Sequence, residues 1–283
     1  MTLDIDHLRR WLGRTESVDD VAAEVPLKAL SATLDRDDGA VGPDTEVPPC
    51  WHWLYFLPLH RQSELGSDGH AQRGGFLPPV PLPRRMWAGS RLDFLAPVRA
   101  GQAIRRTSRI ADVRLKEGRS GPLVFVHVHH DIHAEDRHAI HEEHHIVYRD
   151  LPQPGEAAPA ATPAPQNPAW TREIHPDDVL LFRYSALTFN GHRIHYDRRY
   201  VTEVEGYPGL IVHGPLIATL LLDLLRRQLP AAQVRHFAFK AMHPVFDIAP
   251  FKVCGRLEDA QTVKLWAVTS EGHLAMDARV LLA

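Results

Sequence analysis

The feature that most constrains the fold is an apolar segment at residues 215–229 that covers every side of a helix. Gly214 and Pro215 are typical of a helix start, since proline fits the first helical position. The next ten residues, LIATLLLDLL, are apolar at all but two positions. The run is well short of the roughly 20 residues that cross a bilayer. A helix that is apolar all round must be buried on all sides, so we expect a sheet to wrap it.

Strand-like segments follow this helix, and a similar series occurs in the first half of the chain. They are rich in Val, Phe and Leu, which favours strands. In the second half they lie at residues 236–246, 251–257, 263–269 and 274–282. In the first half an apolar segment at 50–57, which we expect to be a short helix, precedes residues 86–94, 103–115, 123–133 and 139–148. One helix wrapped by an antiparallel sheet, twice in one chain, predicts an α+β double hot-dog fold.

The two halves are separated by a segment rich in proline and alanine, PQPGEAAPAATPAPQNPA, at residues 152–169. Its prolines remove backbone donors and favour extended geometry. We expect it to contribute nothing to a core and to be the first site of limited proteolysis. The predicted organisation is an N-terminal unit at 1–151, a linker at 152–169 and a C-terminal unit at 170–283.

Composition excludes several functional classes. The chain has 44% hydrophobic and 24% charged residues, as ordinary globular proteins do. A net charge of −3 provides no strong field for nucleic acid or an anionic membrane. Two cysteines do not make a disulfide framework, and the first residues lack the apolar segment of a signal peptide. We therefore expect a cytoplasmic protein that binds neither nucleic acid nor membranes.

A dense group of polar residues lies at 184–197, just before the apolar helix. His195 can act as an acid or a base near neutral pH, and Asn190, five residues earlier, can orient a water molecule or a carbonyl. The Gly214 N–H group lies at the positive end of the helix without a helical acceptor, where it can stabilise an oxyanion. The joint spacing predicts acid/base chemistry beside an oxyanion site. The alternative is that His195 and Asn190 only satisfy each other or the polar groups of a buried loop.

These residues carry a resemblance to a known family. Segment 190–197, NGHRIHYD, followed by IVHG at 211–214, resembles the signature of MaoC-like, (R)-specific enoyl-CoA hydratases. Segments 182–190, FRYSALTFN, and 82–89, LPRRMWAG, are similar to a narrower branch with type 2 hydroxyacyl-thioester dehydratases and bacterial itaconyl-CoA and mesaconyl-C4-CoA hydratases. The resemblance implies a hydro-lyase that acts on an acyl-CoA such as itaconyl-CoA or mesaconyl-CoA. It implies no cofactor, no metal and a homodimer.

Carried over by position, the family's catalytic histidine is His195 and its oxyanion-hole amide is that of Gly214. The broader family has an aspartate five residues before the histidine, whereas this chain has Asn190. Acid/base work would then rest on His195, with Asn190 positioning the water. The first half has no matching histidine, so one active site per chain is expected, with the first half non-catalytic. Further candidates for the substrate site are Tyr184, His192, Arg193, His213, Arg84, Arg85 and Trp87.

Alternatives remain for these further candidates. Tyr184 could belong to the core, His192 could be structural, and the arginines could face solvent or carboxylates. A dicarboxylyl-CoA would need a cation for its free carboxylate, for which Arg84, Arg85, Arg183 and Arg193 are the candidates.

A histidine-rich segment provides the competing hypothesis of a metal enzyme. Histidines occur at positions 127, 129, 130, 133, 138, 141, 144 and 145. On a strand, His127, His129 and His133 share a face and could bind a transition metal. The segment begins like a cupin metal motif but departs from it at Glu135 and Glu142. A solvated strand face is the simpler interpretation.

Two other functions use the same residues. A hot-dog thioesterase would need a carboxylate beside the oxyanion site, and only Asp197 and Glu205 are close in sequence. A non-catalytic protein that binds acyl thioesters would need neither.

Overall fold

The computed structural model describes residues 3–118, 121–151 and 160–283. The first half contains α1 (Ile5–Arg9), β1 (Thr15–Val21), α2 (Glu24–Thr33), β2 (Arg84–Phe94), β3 (Ala103–Gly118), β4 (Gly121–Ala134) and β5 (Arg137–Arg149). The second half contains β6 (Trp170–Ile174), α3 (Asp178–Leu187), α4 (Arg198–Glu203), α5 (Gly214–Gln228), β7 (Val234–Ala241), β8 (Phe251–Leu257), β9 (Thr262–Val268) and β10 (Leu274–Leu282). Short 3-10 turns lie at Trp51–Leu54, Gln62–Glu64 and Arg193–His195.

The ten strands of the described residues form one antiparallel sheet in the order β1-β3-β4-β5-β2-β7-β10-β9-β8-β6. The second half of this order mirrors the first, with β7 in the place of β2 and β6 in the place of β1. The halves meet where β2 pairs with β7, and Ser90 lies opposite Phe239 there. This repeated arrangement is the double hot-dog that the sequence predicts.

Helix α5 is buried on all sides, as predicted. Each residue from Leu216 to Leu225 is buried, and the helix packs against β6, β8 and β9. The core around it includes Leu27 of α2 and Trp51, so the core extends through both halves. Among the described residues, no helix is long and apolar enough to cross a membrane.

One carboxylate within α5 ties it to its surroundings. The Asp223 side chain is fully buried and accepts from Arg36 and Arg172 at 2.5 Å each and from Arg227 at 2.8 Å. Arg227 and Arg172 also donate to the Leu34 carbonyl. Asp223 therefore links α5 to β6 and to the segment after α2.

All eight predicted strands are present, and β8 and β10 have the predicted bounds. Strand β7 ends at Ala241, before the predicted residue 246. Pro244 lies in the missing part and cannot donate to a sheet ladder. The two edge strands, β1 and β6, were not predicted.

The predicted helix at residues 50–57 is wrong. Only Trp51–Leu54 forms a turn, of 3-10 type. Cys50 and Phe56 on either side have left-handed φ angles of 69° and 56°. Because these angles cannot belong to a right-handed helix, the segment is confined to one turn.

The predicted linker contributes more than expected. Residues 152–159 lie outside the described part of the chain. In residues 160–169, the Ala164 N–H donates to the Gly272 carbonyl at 3.1 Å, and Ala164 is buried in a cluster with Trp266. The expectation that this segment adds nothing to a core is therefore wrong for residues 160–169, because a small alanine side chain packs against the second half.

Candidate active site

His195 lies at the end of the turn Arg193–His195 and is buried, with 8% of its surface exposed. Its Nδ1 is 2.7 Å from the carbonyl oxygen of Ile211. A carbonyl can only accept, so Nδ1 carries the proton and Nε2 has a free lone pair. This is the tautomer that a general base requires.

A second imidazole stacks on His195. The rings of His195 and His213 lie 3.7 Å apart at an angle of 20°, and His213 Nε2 is 2.8 Å from Ser185 Oγ. Burial lowers the pKa of His195 to about 4, and the hydrogen bond to Ile211 opposes this shift only in part. Burial also holds the pKa of His213 well below its usual value. Both rings are therefore neutral at neutral pH.

The start of α5 lies next to this pair. His213 is the residue before the helix, Gly214 is its first residue and Pro215 its second. Among the described residues, no group accepts a hydrogen bond from the Gly214 N–H. A side chain at Gly214 would meet no atom within 4 Å. The amide is thus an unpaired donor at the positive end of a 15-residue helix whose start has room beside it, as an oxyanion hole requires.

Asn190 shapes the loop that carries His195. Its Oδ1 accepts from the His192 N–H at 3.0 Å, and its own N–H donates to the Ser185 carbonyl at 2.8 Å. In the described part of the chain, the side chains of Asn190 and His195 share no hydrogen bond, so they do not satisfy each other. The role of Asn190 in placing water stays a prediction.

Two of the further candidates contact the histidine pair. The Tyr184 ring is buried in the core and meets the edge of His213 at 5.1 Å, and burial raises the pKa of its hydroxyl. Tyr184 therefore supports His213 from the core. The His192 ring lies 5.5 Å from that of His195, at an angle of 89°. His192 thus belongs to the site.

Two of the candidate arginines are held by carboxylates. Arg193 Nη2 is 2.7 Å from Asp197, which also begins α4 as its N-cap. Arg84 Nε is 3.4 Å from Glu205, and its guanidinium lies 4.6 Å from the ring centre of Tyr207. Both positive charges are compensated within the protein. The exposed Arg183 lies on α3.

Arg85 differs from these arginines. Its side chain is half-buried and forms no ion pair with a carboxylate of the described residues. Burial lowers the pKa of His70, His144 and His192, and the nearby charge of Arg85 lowers it further in each case. Arg85 is thus a cation without a carboxylate partner among the described residues, and its charge acts on His70 and His192 of the site.

Trp87 belongs to a buried polar network of the first half. Its Nε1 donates to Ser90 Oγ at 2.9 Å, and Ser90 Oγ donates to Glu142 at 3.0 Å. The same carboxylate lies 3.2 Å from His52 Nε2 and accepts from Trp53 Nε1 at 3.0 Å. Trp87 and Trp53 pack edge to face at 5.1 Å. The network fixes two indole rings at the β2–β7 seam, and Glu142 was missed by the sequence analysis.

The sequence analysis also missed a segment of the first half that reaches the loop carrying His195. The Asp68 carbonyl accepts from the Arg193 N–H at 2.9 Å, and the His70 ring lies 3.9 Å from that of His192. The only sequence signal was an Asp-Gly-His triplet in a glycine-rich insertion.

The histidines of the histidine-rich segment 127–145 pair across β4 and β5. His127 faces His145, and His133 faces His138, with ring distances of 4.4 and 4.8 Å. His127, His129 and His133 are not brought together as a ligand set. Within the described ranges, the groups with metal-ligand spacing are Asp131, His138 and His141, and Asp68, His70 and His192. The cupin-like alternative is wrong because the fold is a double hot-dog.

The comparisons with known proteins identify the family. A model of hydroxyacyl-thioester dehydratase type 2 matches residues 50–247. The chain belongs to this family. It is 48% identical to mesaconyl-C4-CoA hydratase of Chloroflexus aurantiacus over 275 residues, which cover 96% of each chain. It is 26% identical to the mitochondrial hydroxyacyl-thioester dehydratase type 2 of Schizosaccharomyces pombe, over 87% of this chain and 90% of that protein.

Solved structures share the fold of this chain. HtdX of Mycobacterium tuberculosis superposes with a TM-score of 0.67 at 20% identity, over 94% of this chain and 99% of that one. A MaoC-like dehydratase of Phytophthora capsici gives 0.69 at 13% identity, over 99% and 98%. Another M. tuberculosis protein, described as a double hot-dog, gives 0.62 at 16% identity, over 96% of each chain. The predicted fold and family are confirmed.

Proposed function

We propose that this protein hydrates the double bond of an unsaturated acyl-CoA, with mesaconyl-C4-CoA as its substrate. The main support for this reaction is the stacking of His195 on His213, the residue before Gly214. It brings a neutral imidazole with a free Nε2 close to an unpaired amide at a helix start. A base and an oxyanion site together are what the addition of water to an enoyl thioester needs.

The chemistry can be written with these two groups. His195 Nε2 takes a proton from water while the water oxygen bonds to the β-carbon, and the electron pair of the double bond moves to the thioester oxygen. The Gly214 amide stabilises that oxyanion, a contribution of about 10²–10³ in rate. When the carbonyl reforms, the α-carbon takes the proton from the His195 imidazolium, which returns to its neutral form. A positioned acid/base group contributes about 10²–10⁴.

The substrate is supported by the similarity to mesaconyl-C4-CoA hydratase and by Arg85. In mesaconyl-C4-CoA the thioester is on C4, so the free carboxylate is attached to the β-carbon, which receives the hydroxyl. A cation that binds this carboxylate must lie near the water and the base. Arg85 is half-buried beside His70 and His192, whereas Arg84 and Arg193 are paired with carboxylates.

The thioesterase alternative finds less support. Its two candidate carboxylates are both engaged, Asp197 by Arg193 and the N-terminus of α4, and Glu205 by Arg84 and the hydroxyl of Tyr200. Neither is free to act as a base or nucleophile.

The test compares mesaconyl-C4-CoA, itaconyl-CoA and crotonyl-CoA while following both the enoyl absorbance and thiol release. We expect loss of absorbance without thiol release, with the highest kcat/KM for mesaconyl-C4-CoA. Arg85→Gln should lower kcat/KM for mesaconyl-C4-CoA by roughly 10- to 100-fold more than for crotonyl-CoA, because a charge-assisted hydrogen bond is lost.

Arg91→Gln is the matched control, since Arg91 lies on the same strand with 63% of its side chain exposed. It should behave as the wild type. Thiol release from all three substrates would support the thioesterase instead, and binding without turnover would support a non-catalytic protein. Equal losses on all three substrates in Arg85→Gln would remove Arg85 from carboxylate recognition.

A homodimer and a cytoplasmic location stay predictions. Strands β1 and β6 lie at the two edges of the sheet, and exposed edges favour pairing. Light scattering of the full chain measures the mass directly, and a monomer would contradict the dimer.

A further inference from the structure

A segment of the first half is packed tightly onto the catalytic loop of the second. The Arg193 N–H donates to the Asp68 carbonyl at 2.9 Å, and the Arg193 guanidinium donates to the Ser67 carbonyl at 2.9 Å. Gly69 has a φ of +87°, and a Cβ there would lie 1.8 Å from the carbonyl oxygen of Gly191. Only a residue without a side chain allows this approach. The two backbones are therefore held in one fixed position.

This contact brings another imidazole to the site. The His70 ring lies 3.9 Å from that of His192, and the His192 ring lies 5.5 Å from that of His195. Burial is the main cause of the low pKa of His195, and a proton on His70 would lower that pKa further. His70 thus reaches the site through His192, from the half of the chain that the sequence analysis expects to be non-catalytic.

The orientation of His70 is fixed by a carboxylate. Asp68 Oδ2 is 3.1 Å from His70 Nδ1, and Asp68 Oδ1 accepts from the His70 N–H at 3.0 Å. An ionised carboxylate only accepts, so His70 Nδ1 carries its proton and Nε2 has a free lone pair. Burial raises the pKa of the Asp68 carboxyl, but the hydrogen bonds from His70 oppose this effect, and the net pKa lies below its usual value, so the carboxylate is ionised. His70 therefore has the same tautomer as His195.

The site needs a second acceptor for the attacking water. A water held only by His195 can still rotate about that hydrogen bond. Asn190, at the position of the broader family's aspartate, uses its Oδ1 to accept from the His192 N–H, so this oxygen is directed to the loop.

We propose that His70, oriented by Asp68, is a catalytic residue that holds the attacking water together with His195. The water donates one hydrogen bond to His195 Nε2 and the other to His70 Nε2. The first proton moves to His195 as the oxygen bonds to the β-carbon, and it is then delivered to the α-carbon. The second proton stays on the oxygen as the hydroxyl of the product. The inference rests on the proposed hydration.

Two substitutions distinguish the role of Nδ1 of His70 from that of Nε2. His70→Asn retains a donor near Nδ1 for Asp68 but has no acceptor near Nε2. His70→Gln places an amide oxygen near Nε2. We expect His70→Asn to lose about 10²-fold in kcat through loss of alignment, with KM little changed, and His70→Gln to recover a large part of that loss. Because the water is common to both reactions, mesaconyl-C4-CoA and crotonyl-CoA should respond alike.

Two further variants complete the design. Asp68→Asn removes the charge that fixes His70 and should lower kcat with KM retained, which provides a second test if a His70 variant does not fold. His60→Gln is the matched control, because His60 lies in the same insertion and is exposed. Thermal unfolding of each variant shows whether the fold is intact.

Several outcomes would overturn the proposal. Folded His70→Asn with normal kcat, or His70→Gln no more active than His70→Asn, would make His70 structural. Activity that a chelator abolishes and zinc restores would make Asp68, His70 and His192 metal ligands instead. A wild-type protein that hydrates none of the enoyl-CoA substrates would refute the proposed function and, with it, this role. An active wild type with unaffected variants refutes only the role of His70.

Discussion

The charge environment of His195 makes a strong prediction about pH. Its ring contacts His192 and His213, and a proton on the nearby His70 would further disfavour a charge on it. Burial lowers its pKa from 6.5 to about 4. At about 1.4 kcal/mol per pH unit, this disfavours the imidazolium by roughly 3 kcal/mol. Because the base must be neutral, the acidic limb of kcat/KM should lie near pH 4.

Asn190→Asp should move this limb upward. A carboxylate within about 4–6 Å of an imidazole favours its charged form and raises its pKa by about 1–3. The acidic limb should therefore move to between about pH 5 and 7. Asn190→Ala adds no charge, so its limb should stay near that of the wild type while kcat falls through loss of alignment. A moved limb therefore reports the added charge, whereas a lower kcat with an unmoved limb reports the loss of alignment.

The assay is the initial rate of enoyl absorbance loss between pH 3.5 and 8, with circular dichroism at each pH to exclude unfolding. An acidic limb near pH 6.5 in the wild type would refute the low pKa of His195. A folded, active Asn190→Asp variant with an unmoved limb would show that residue 190 does not act on His195. Wild-type turnover by folded His195→Ala would remove His195 from the mechanism.

Two further predictions concern packing. Gly69→Ala should lower kcat by about tenfold or more while the protein still binds CoA thioesters, because its Cβ would meet the Gly191 carbonyl and displace catalytic groups. Gly75→Ala is the control, because a Cβ at Gly75 would lie in open space. Equal kcat values in the two variants would contradict the prediction. Asp223→Ala should lower stability by about 3–5 kcal/mol, or roughly 5–8 °C in Tm, because it leaves buried arginines uncompensated. The exposed carboxylate of Glu203 pairs with one arginine, so Glu203→Ala should change Tm little. If thermal unfolding shows the same loss of Tm for Asp223→Ala and Glu203→Ala, the reasoning is refuted.

Local patterns predict most of the fold. The eight strands and α5 are recognisable because period-two and all-round apolar patterns are properties of neighbouring residues. Strand β1 (TESVDDV) is an exposed edge in which five of the seven residues are charged or carry a hydroxyl group, so it lacks an apolar pattern. Residues 50–57 are apolar, but the left-handed conformation of Cys50 and Phe56 depends on tertiary packing.

Some residues of the candidate site can also be predicted from local sequence, whereas others cannot. His195 and Gly214 lie 19 positions apart in the chain, so their spacing is readable as a motif. Glu142 lies two positions after Ile140 on β5, so its side chain points to the same face of the strand and could have been assigned to the buried face. His70 is more than a hundred positions from His195. Only the folded chain shows that His70 packs on His192 in the loop that carries His195, since no local pattern contains a contact between halves.

Joining the halves in one chain frees them from symmetry. If two identical subunits met along the β2–β7 edge, every substitution would appear twice, once on each side of the axis. An insertion that placed a histidine beside one catalytic loop would then also be present at the second site, because both subunits have the same sequence. In the single chain, Gly69 and His70 occur once, and α5 has no long counterpart at residues 50–57. One half can therefore specialise in reaching across the seam while the other retains the helix start, so the two can diverge independently.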